Sequence, residues 1–353
     1  MKLLGRILGA LALLAVAVLV LAPREPLGGA EYRPLPDAPR PEDRVASVLR
    51  AEKLIRDIRP GAEKEVVWAR PDKARTPLAI VYLHGFSATK EEIRPVPDDV
   101  ARALGANLFF TRFTGHGRTP AAMAQATVQA WMDDVSEALA VGEAIGERTL
   151  IIATSTGVTL AALATLGEDS FGDGPVAAGA GGAEVMRNVL GMVLVSPNFG
   201  LQNPAARILT LPFARTLAPL IAGKTREGTA DSEEEARWWT ISYPTEALVP
   251  MAAAAEAAGS FPYPAAPPAL FIISDVDKVV DPEATRAVAA RWGKKGAEVF
   301  VVEPGPDDDP NGHVIAGRIM SPGLTATVTE KIIAWTRARL DEAEKAAKAP
   351  EGG

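Results

Sequence analysis

Cysteine is absent from this chain of 353 residues. Disulfides, thiolate metal sites, a cysteine nucleophile and a lipoprotein acylation site are therefore excluded, while the redox compartment stays open. Histidine is nearly as scarce: His84, His116 and His313 are the whole set. Any chemistry that needs an imidazole must choose among three. There is no excess of positive charge either, since 37 Lys+Arg stand against 44 Asp+Glu for a net charge of -7. A nucleic-acid partner has no electrostatic basis here. No glycine pattern of the Walker or dinucleotide type falls in a strand–loop–helix setting, and the chain carries no internal repeat.

What remains is the composition of an ordinary folded protein, with 48% hydrophobic and 23% charged residues. The length suits one large α/β domain or two modest ones. Lys2 and Arg6 precede an unbroken apolar run, Ile7–Ala22. That order reads as a secretory signal or an uncleaved N-terminal membrane anchor. The expectation is export, to the periplasmic face of the membrane, or to the periplasm or medium if residues 1–22 are removed. Residues 23–43, rich in proline and charge, read as an extended tether.

The main domain is expected over 44–343. Short apolar runs at Leu78–Leu83, Asn107–Thr111, Leu150–Ile152, Leu190–Ser196, Ala269–Ser274 and Ala297–Val302 alternate with helical stretches such as Val128–Ile145 and Pro282–Trp292. Continuous rather than alternating apolar character marks strands buried on both faces. Strands and helices taking turns imply βαβ units and a doubly wound, mostly parallel sheet. Glu65–Trp68 reads as an edge strand. Residues 167–182 read as a surface insertion, and 344–353 as a charged, frayed tail. The Ala- and Leu-rich segment 197–268 interrupts the alternation after a strand's carboxyl end, the position from which an insertion covers the ligand crevice. It is the candidate helical lid.

The chain is organised around Leu150–Leu163, in which a β-branched run breaks at Thr154-Ser155-Thr156-Gly157 into an Ala/Leu-rich helix. This is the setting of a nucleophile elbow, with Ala-x-Ser-x-Gly where Gly-x-Ser-x-Gly is usual. Small neighbours at Ala153 and Gly157 let strand and helix pack closely. The competing reading makes Ser155 an ordinary helix N-cap. A serine nucleophile needs a base and an acid to orient it. Of the three histidines only His313 follows a candidate acid, in the chain order Ser, Asp, His. The loop after Ala269–Ser274 offers Asp275, Asp277 and Asp281. Asp281 is placed to cap the next helix and Asp275 lies almost on the strand end, so Asp277 is preferred with Asp275 as its substitute. The oxyanion would take backbone N–H groups from Thr156 and from Phe86 or, as the alternative, Ser87.

Leu83-His84-Gly85-Phe86, Gly115-His116-Gly117, Ala153-Thr154-Ser155-Thr156-Gly157, Asp277-Lys278-Val279-Val280-Asp281-Pro282 and Gly312-His313, in that order, resemble the α/β-hydrolase superfamily. The nearest groups are bacterial carboxylesterases and monoacylglycerol-lipase or lysophospholipase-like enzymes, also labelled serine aminopeptidase-type hydrolases. The resemblance spans about residues 65–340. It implies an α/β-hydrolase fold with Ser155, Asp277 and His313 as catalytic triad, Phe86 and Thr156 as oxyanion donors, and His84 in a structural role.

The expected activity is hydrolysis of a carboxylic ester, without cofactor or metal, on a small-molecule or lipid-like substrate. A peptidase or amidase on the same triad, or an inactive hydrolase fold that binds rather than cleaves, are the rivals. Three further features read as structural. Asp307-Asp308-Asp309 should be solvated rather than a cation site, Trp238-Trp239 should pack the lid on the core, and Glu233–Glu235 should form a solvated helix face.

Overall fold

The computed structural model of the protein describes residues 5–10, 13, 16, 22–166, 180–293 and 296–348. Most of the apolar run 7–22 and the expected insertion 167–182 lie outside them. Among the described residues no helix is long and apolar enough to cross a membrane.

A seven-stranded sheet carries the architecture. Its strands are β1 (Glu65–Val67), β2 (Thr76–Leu83), β3 (Asn107–Phe110), β4 (Gly146–Thr154), β5 (Val189–Val195), β8 (Ala269–Ile273) and β9 (Ala297–Val301). They are ordered β1-β3-β2-β4-β5-β8-β9. Only the edge strand β1 is antiparallel to its neighbour; the other pairs are parallel. β6 (Thr225–Arg226) and β7 (Tyr243–Pro244) form a separate two-stranded ribbon.

The continuous apolar runs are explained by what covers each face. Along β2, Ala79, Val81 and Leu83 point into one core, while Leu78, Ile80 and Tyr82 point into the other. β4 divides the same way, with Ile151 and Ala153 on one side and Leu150 and Ile152 on the other. The first core is closed by α1 (Pro41–Leu54), α3 (Val128–Ile145), α4 (Thr156–Ala164), α8 (Leu248–Ser260) and α9 (Pro282–Ala290). The second is closed by α2 (Val96–Leu104) and α10 (Thr325–Lys348). Further α-helices among the described residues are α5 (Ala180–Val185), α6 (Ala214–Ala222) and α7 (Glu233–Trp238). Each fully buried side chain in these layers, such as Phe109 or Phe271, contributes on the order of 2 kcal/mol.

Three expectations change. Residues 22–40 have no regular structure, yet they are packed rather than a free tether. The Glu31 N–H donates to Ser136 Oγ at 3.0 Å, Arg33 pairs with Asp133, and Glu25 takes a two-pronged bond from Arg215 of α6. Apolar residues such as Ala30, 1% exposed, give this strap a reason to adhere. The segment 197–268 divides in two. Its last helix, α8, buries Met251, Ala254, Ala257 and Ala258 in the first core; residues 204–247, before it, stand outside that core and pack Leu209, Ala214 and Ala218 onto Val249 and Ala252 of the same helix. Finally, α10 continues to Lys348, so the start of the expected frayed tail is helical.

Candidate active site

The carboxyl ends of β2, β4, β5 and β8 meet at one rim of the sheet, and the polar residues singled out above converge there. Between β4 and α4 the chain turns at Ser155 with φ 50° and ψ −115°. This left-handed conformation is one a non-glycine residue adopts only when its surroundings impose it. The surroundings are close: a Cβ on Gly157 would stand 2.2 Å from the Leu83 carbonyl oxygen, so only glycine lets α4 start against β2. Ala153 is accommodated without a break in the strand, paired to Leu83 on one side and Leu194 on the other. The Ser155 side chain makes no capping bond, which excludes the N-cap reading.

Instead Ser155 Oγ lies 3.0 Å from His313 Nε2, and His313 Nδ1 lies 2.8 Å from Asp277 Oδ2. All three are buried. The other oxygen of Asp277 accepts the backbone N–H groups of Val279 and Val280 at 2.8 and 2.9 Å, which fixes the carboxylate's orientation. Asp275 is exposed and pairs with Arg286. Asp281 caps α9 by accepting the Glu283 N–H at 2.9 Å. Of the three candidate acids, the structure thus brings only Asp277 to His313.

His313 departs from the other two histidines in its electrostatics. Burial pushes its pKa down, but the hydrogen bond and charge of Asp277, then the charges of Glu92 and Asp309, outweigh burial and hold it above the ordinary value. His84 is more completely buried, and burial lowers its pKa to about 4. Its ring donates from Nδ1 to the Gly85 carbonyl and accepts the Phe113 N–H at Nε2. His116 is pushed well below the ordinary value by burial and by His84, and it packs edge-on against Phe86. Both brace the loop after β2.

Phe86 lies in that loop and Thr156 begins α4, so both expected N–H donors border the cavity that holds Ser155 and His313. Ser87, the alternative donor, has φ 63°, and its carbonyl accepts the Thr240 N–H at 2.7 Å. This bond ties the loop to the segment overhead. The cavity measures about 530 Å³. Leu201, Ile208, Leu209, Trp239, Leu248 and Met251 give it largely apolar walls, so most of its roof comes from the segment between β5 and β8. Trp238 and Trp239 pack against Ala62 and Ala88 as a bridge from that segment to the body. Glu233 to Glu235 form the first turn of α7, with Glu233 and Glu234 exposed and Glu235 half-buried.

Three buried carboxylates near the site carry no sign of their burial in the sequence. Asp309 was expected to be solvated; it is 4% exposed and accepts the N–H groups of Asn311, His313 and Val314 at 2.9, 3.0 and 2.8 Å. Asp308 is buried too, accepting from Gly305 and Gly323. A run of acids in a proline-rich loop gives no local sign of folding back on itself to make such a turn. Glu92, 3% exposed, lies beside the site with no motif to announce it. Among the described residues, no cluster of His, Asp or Glu could hold a metal ion.

Solved structures with this fold include that of LipS and LipT, two metagenome-derived lipolytic enzymes (20% identity, 80% of this chain and 99% of that one covered, TM-score 0.61). They also include a soluble variant of monoglyceride lipase from Saccharomyces cerevisiae bound to a substrate analogue (13%, 78% and 91%, TM-score 0.56). A third is a monoacylglycerol lipase from Paleococcus ferrophilus (12%, 78% and 98%, TM-score 0.50). At these identities the likeness is one of fold. No curated protein matches the sequence significantly. The sequence pattern of the alpha/beta hydrolase family matches residues 80–316, over the same strands and loops that bring Ser155, Asp277 and His313 together. The chain belongs to the alpha/beta hydrolase family.

Proposed function

We propose that the protein is a serine hydrolase of carboxylic esters, working through an acyl-enzyme with Ser155 as nucleophile, His313 as base and Asp277 as orienting acid. The observation that carries this reading is the continuous array from Ser155 Oγ through His313 to Asp277, with steps of 3.0 and 2.8 Å. His313 Nε2 takes the serine proton as Oγ attacks the ester carbonyl carbon. Negative charge moves to the carbonyl oxygen, where the Phe86 and Thr156 N–H groups receive it; the start of α4 adds the favourable end of a helix dipole. His313 then returns the proton to the departing alkoxide. A water deprotonated by His313 attacks the acyl-enzyme and releases the acid. No cofactor enters these steps.

The apolar walls favour an acyl-chain or lipid-like ester. The lipolytic and monoglyceride-cleaving activities named for the similar structures agree with that class. In this reading the segment 204–247 is a lid, and the run 7–22 is either an anchor that holds the hydrolase at the periplasmic face of the membrane or an export signal whose removal frees it to the periplasm or medium.

The test is labelling with a fluorophosphonate probe, followed by turnover of p-nitrophenyl esters of increasing chain length. Wild type should label, Ser155→Ala should not, and His313→Ala should label far more slowly. A folded wild type that stays unlabelled overturns the catalytic reading. Much faster turnover of acetate than of longer esters overturns the lipid-like one.

A further inference from the structure

One ionisable group in the floor of the cavity has no part in those steps. Glu92 lies in the loop between β2 and α2 and lines the same cavity as Ser155 and His313. Its Oε2 accepts the Tyr82 hydroxyl at 2.8 Å and the Gly85 N–H at 2.7 Å. The approach requires glycine at position 85, where a Cβ would stand 2.4 Å from Glu92 Oε1. The Tyr82 hydroxyl also lies 3.2 Å from Thr154 Oγ1. Gly85 precedes the donor Phe86, and Thr154 precedes the nucleophile. One carboxylate is thus bonded to the loop of the first and linked through Tyr82 to the strand of the second.

A carboxylate this deep loses most of its hydration, and two neutral donors return only part of it. Neither arginine nor lysine pairs with Glu92 among the described residues. The positive charge that could compensate it is the one that arises on His313 when the serine proton is taken. Burial pushes the Glu92 carboxyl up to about 7, against the Gly85 N–H, the Tyr82 hydroxyl and the charge of His313. The acids acting on His313 are Asp277, Glu92 and Asp309. Asp277 holds Nδ1, and Asp309 lies in the imidazole's own loop. Glu92 comes from a different element.

We infer that Glu92 is a second carboxylate of the site, a positioning residue whose charge stabilises the His313 imidazolium and whose hydrogen bonds hold the Phe86 loop against the nucleophile strand. This rests on the proposed triad and goes beyond it, because that triad is complete without Glu92.

The experiment measures kcat and KM for p-nitrophenyl butyrate from pH 5 to 9, on the full chain, for wild type, Ser155→Ala, Glu92→Gln and Glu92→Asp, with a thermal melt of each. Gln keeps a carbonyl oxygen for both donors and removes the charge. Above about pH 7, where Glu92 is ionised, Gln should lower kcat about tenfold with KM within about twofold; the acid limb of kcat/KM should move down by about half a pH unit, since His313 loses a neighbour that becomes anionic across that limb. Asp keeps the charge while stretching the hydrogen bonds, so kcat should fall with the acid limb where wild type has it. A Gln variant with the wild-type limb and rate, or one that is faster, overturns the inference, as does a variant whose only loss is in melting temperature. Should Gln fail to fold, an Asp variant whose limb moves down overturns it equally. Turnover that survives in Ser155→Ala sinks the underlying triad instead, and so separates the two failures.

Discussion

The loops after β2 and β3 hold two histidines, and the loop after β9 holds one; all three are buried, yet they are driven in opposite directions. His84 and His116 are pushed towards the neutral form, His84 to about 4. His313 is held above its ordinary value. Burial opposes charge in all three, so burial does not distinguish them. The difference is the company of carboxylates: Asp277, Glu92 and Asp309 act on His313, whereas the charge acting on His84 is that of Arg112. A buried imidazole without an acid is a hydrogen-bonding brace. With acids placed around it, the same ring is suited to the role proposed for His313, a base that carries a proton for the length of a reaction.

The strongest way to break this comparison is to remove the ring on each side. His313→Ala and Ser155→Ala should each lower kcat by about 10⁴-fold or more, as members of one unit, with melting temperatures near wild type. His84→Ala should do the reverse. It leaves the Phe113 N–H and the Gly85 carbonyl without partners, at a cost of about 1–3 kcal/mol in stability, while Ser155 still labels with a fluorophosphonate. Probe labelling and urea denaturation together report both outcomes. A His84 variant that folds normally but loses labelling would break the assignment of His84 as a brace.

Next in size is the choice of acid. Asp277→Asn keeps the shape of the array but presents the wrong partner to Nδ1, and kcat should fall by about 10³–10⁴-fold. Asp275→Asn removes only an exposed pair with Arg286, and kcat should stay within about twofold. As the proposed base, His313 must be neutral to act in the wild type. With its pKa raised, activity should disappear as pH falls through a value above the ordinary 6.5, as a pH profile of kcat/KM will show.

A third change probes what the sequence concealed. Asp309→Ala removes the acceptor for three N–H groups in the turn that presents His313. A misplaced base typically costs one to two orders of magnitude, so kcat should fall by about 10–100-fold, with KM little changed. The contrast with Asp277 shows where legibility ended. That Asp277, His313 and Ser155 would come together could be read because chemistry limits which residue types can fill each role of a triad, and three histidines leave few combinations. The sheet was readable for a similar reason, since β2, β4, β5 and β8 are buried on both faces and show unbroken apolar runs. Asp309 and Glu92 act through the folded positions of backbone N–H groups and a tyrosine hydroxyl, and no spacing in the chain encodes those. The strap at 22–40 was hidden likewise: its proline-rich composition matches a free tether, and only the positions of Ser136, Asp133 and Arg215 show that it is held.

The smallest expected effect turns the opposite shifts of the histidines into opposite slopes of stability against pH. The folded-state pKa of His84 is depressed to about 4 from 6.5. Between those values the unfolded chain binds the proton and the folded chain does not. Its contribution is therefore complete above about pH 6.5 and lost as pH falls, at up to about 1.4 kcal/mol per pH unit. His313 is raised, so its contribution is complete below about pH 6.5 and is lost as pH rises through the folded value. Urea denaturation at pH 4.5, 6 and 7.5 can separate the two by difference. Replacing His84 with Gln should flatten the loss on the acid side, and replacing His313 with Gln should flatten the decline on the alkaline side. Carboxylates elsewhere contribute to all the proteins alike and cancel in the comparison. If both replacements changed the same limb, the acids around His313 would not be outweighing its burial, and the distinction between brace and base would have to rest on the hydrogen bond to Asp277 alone.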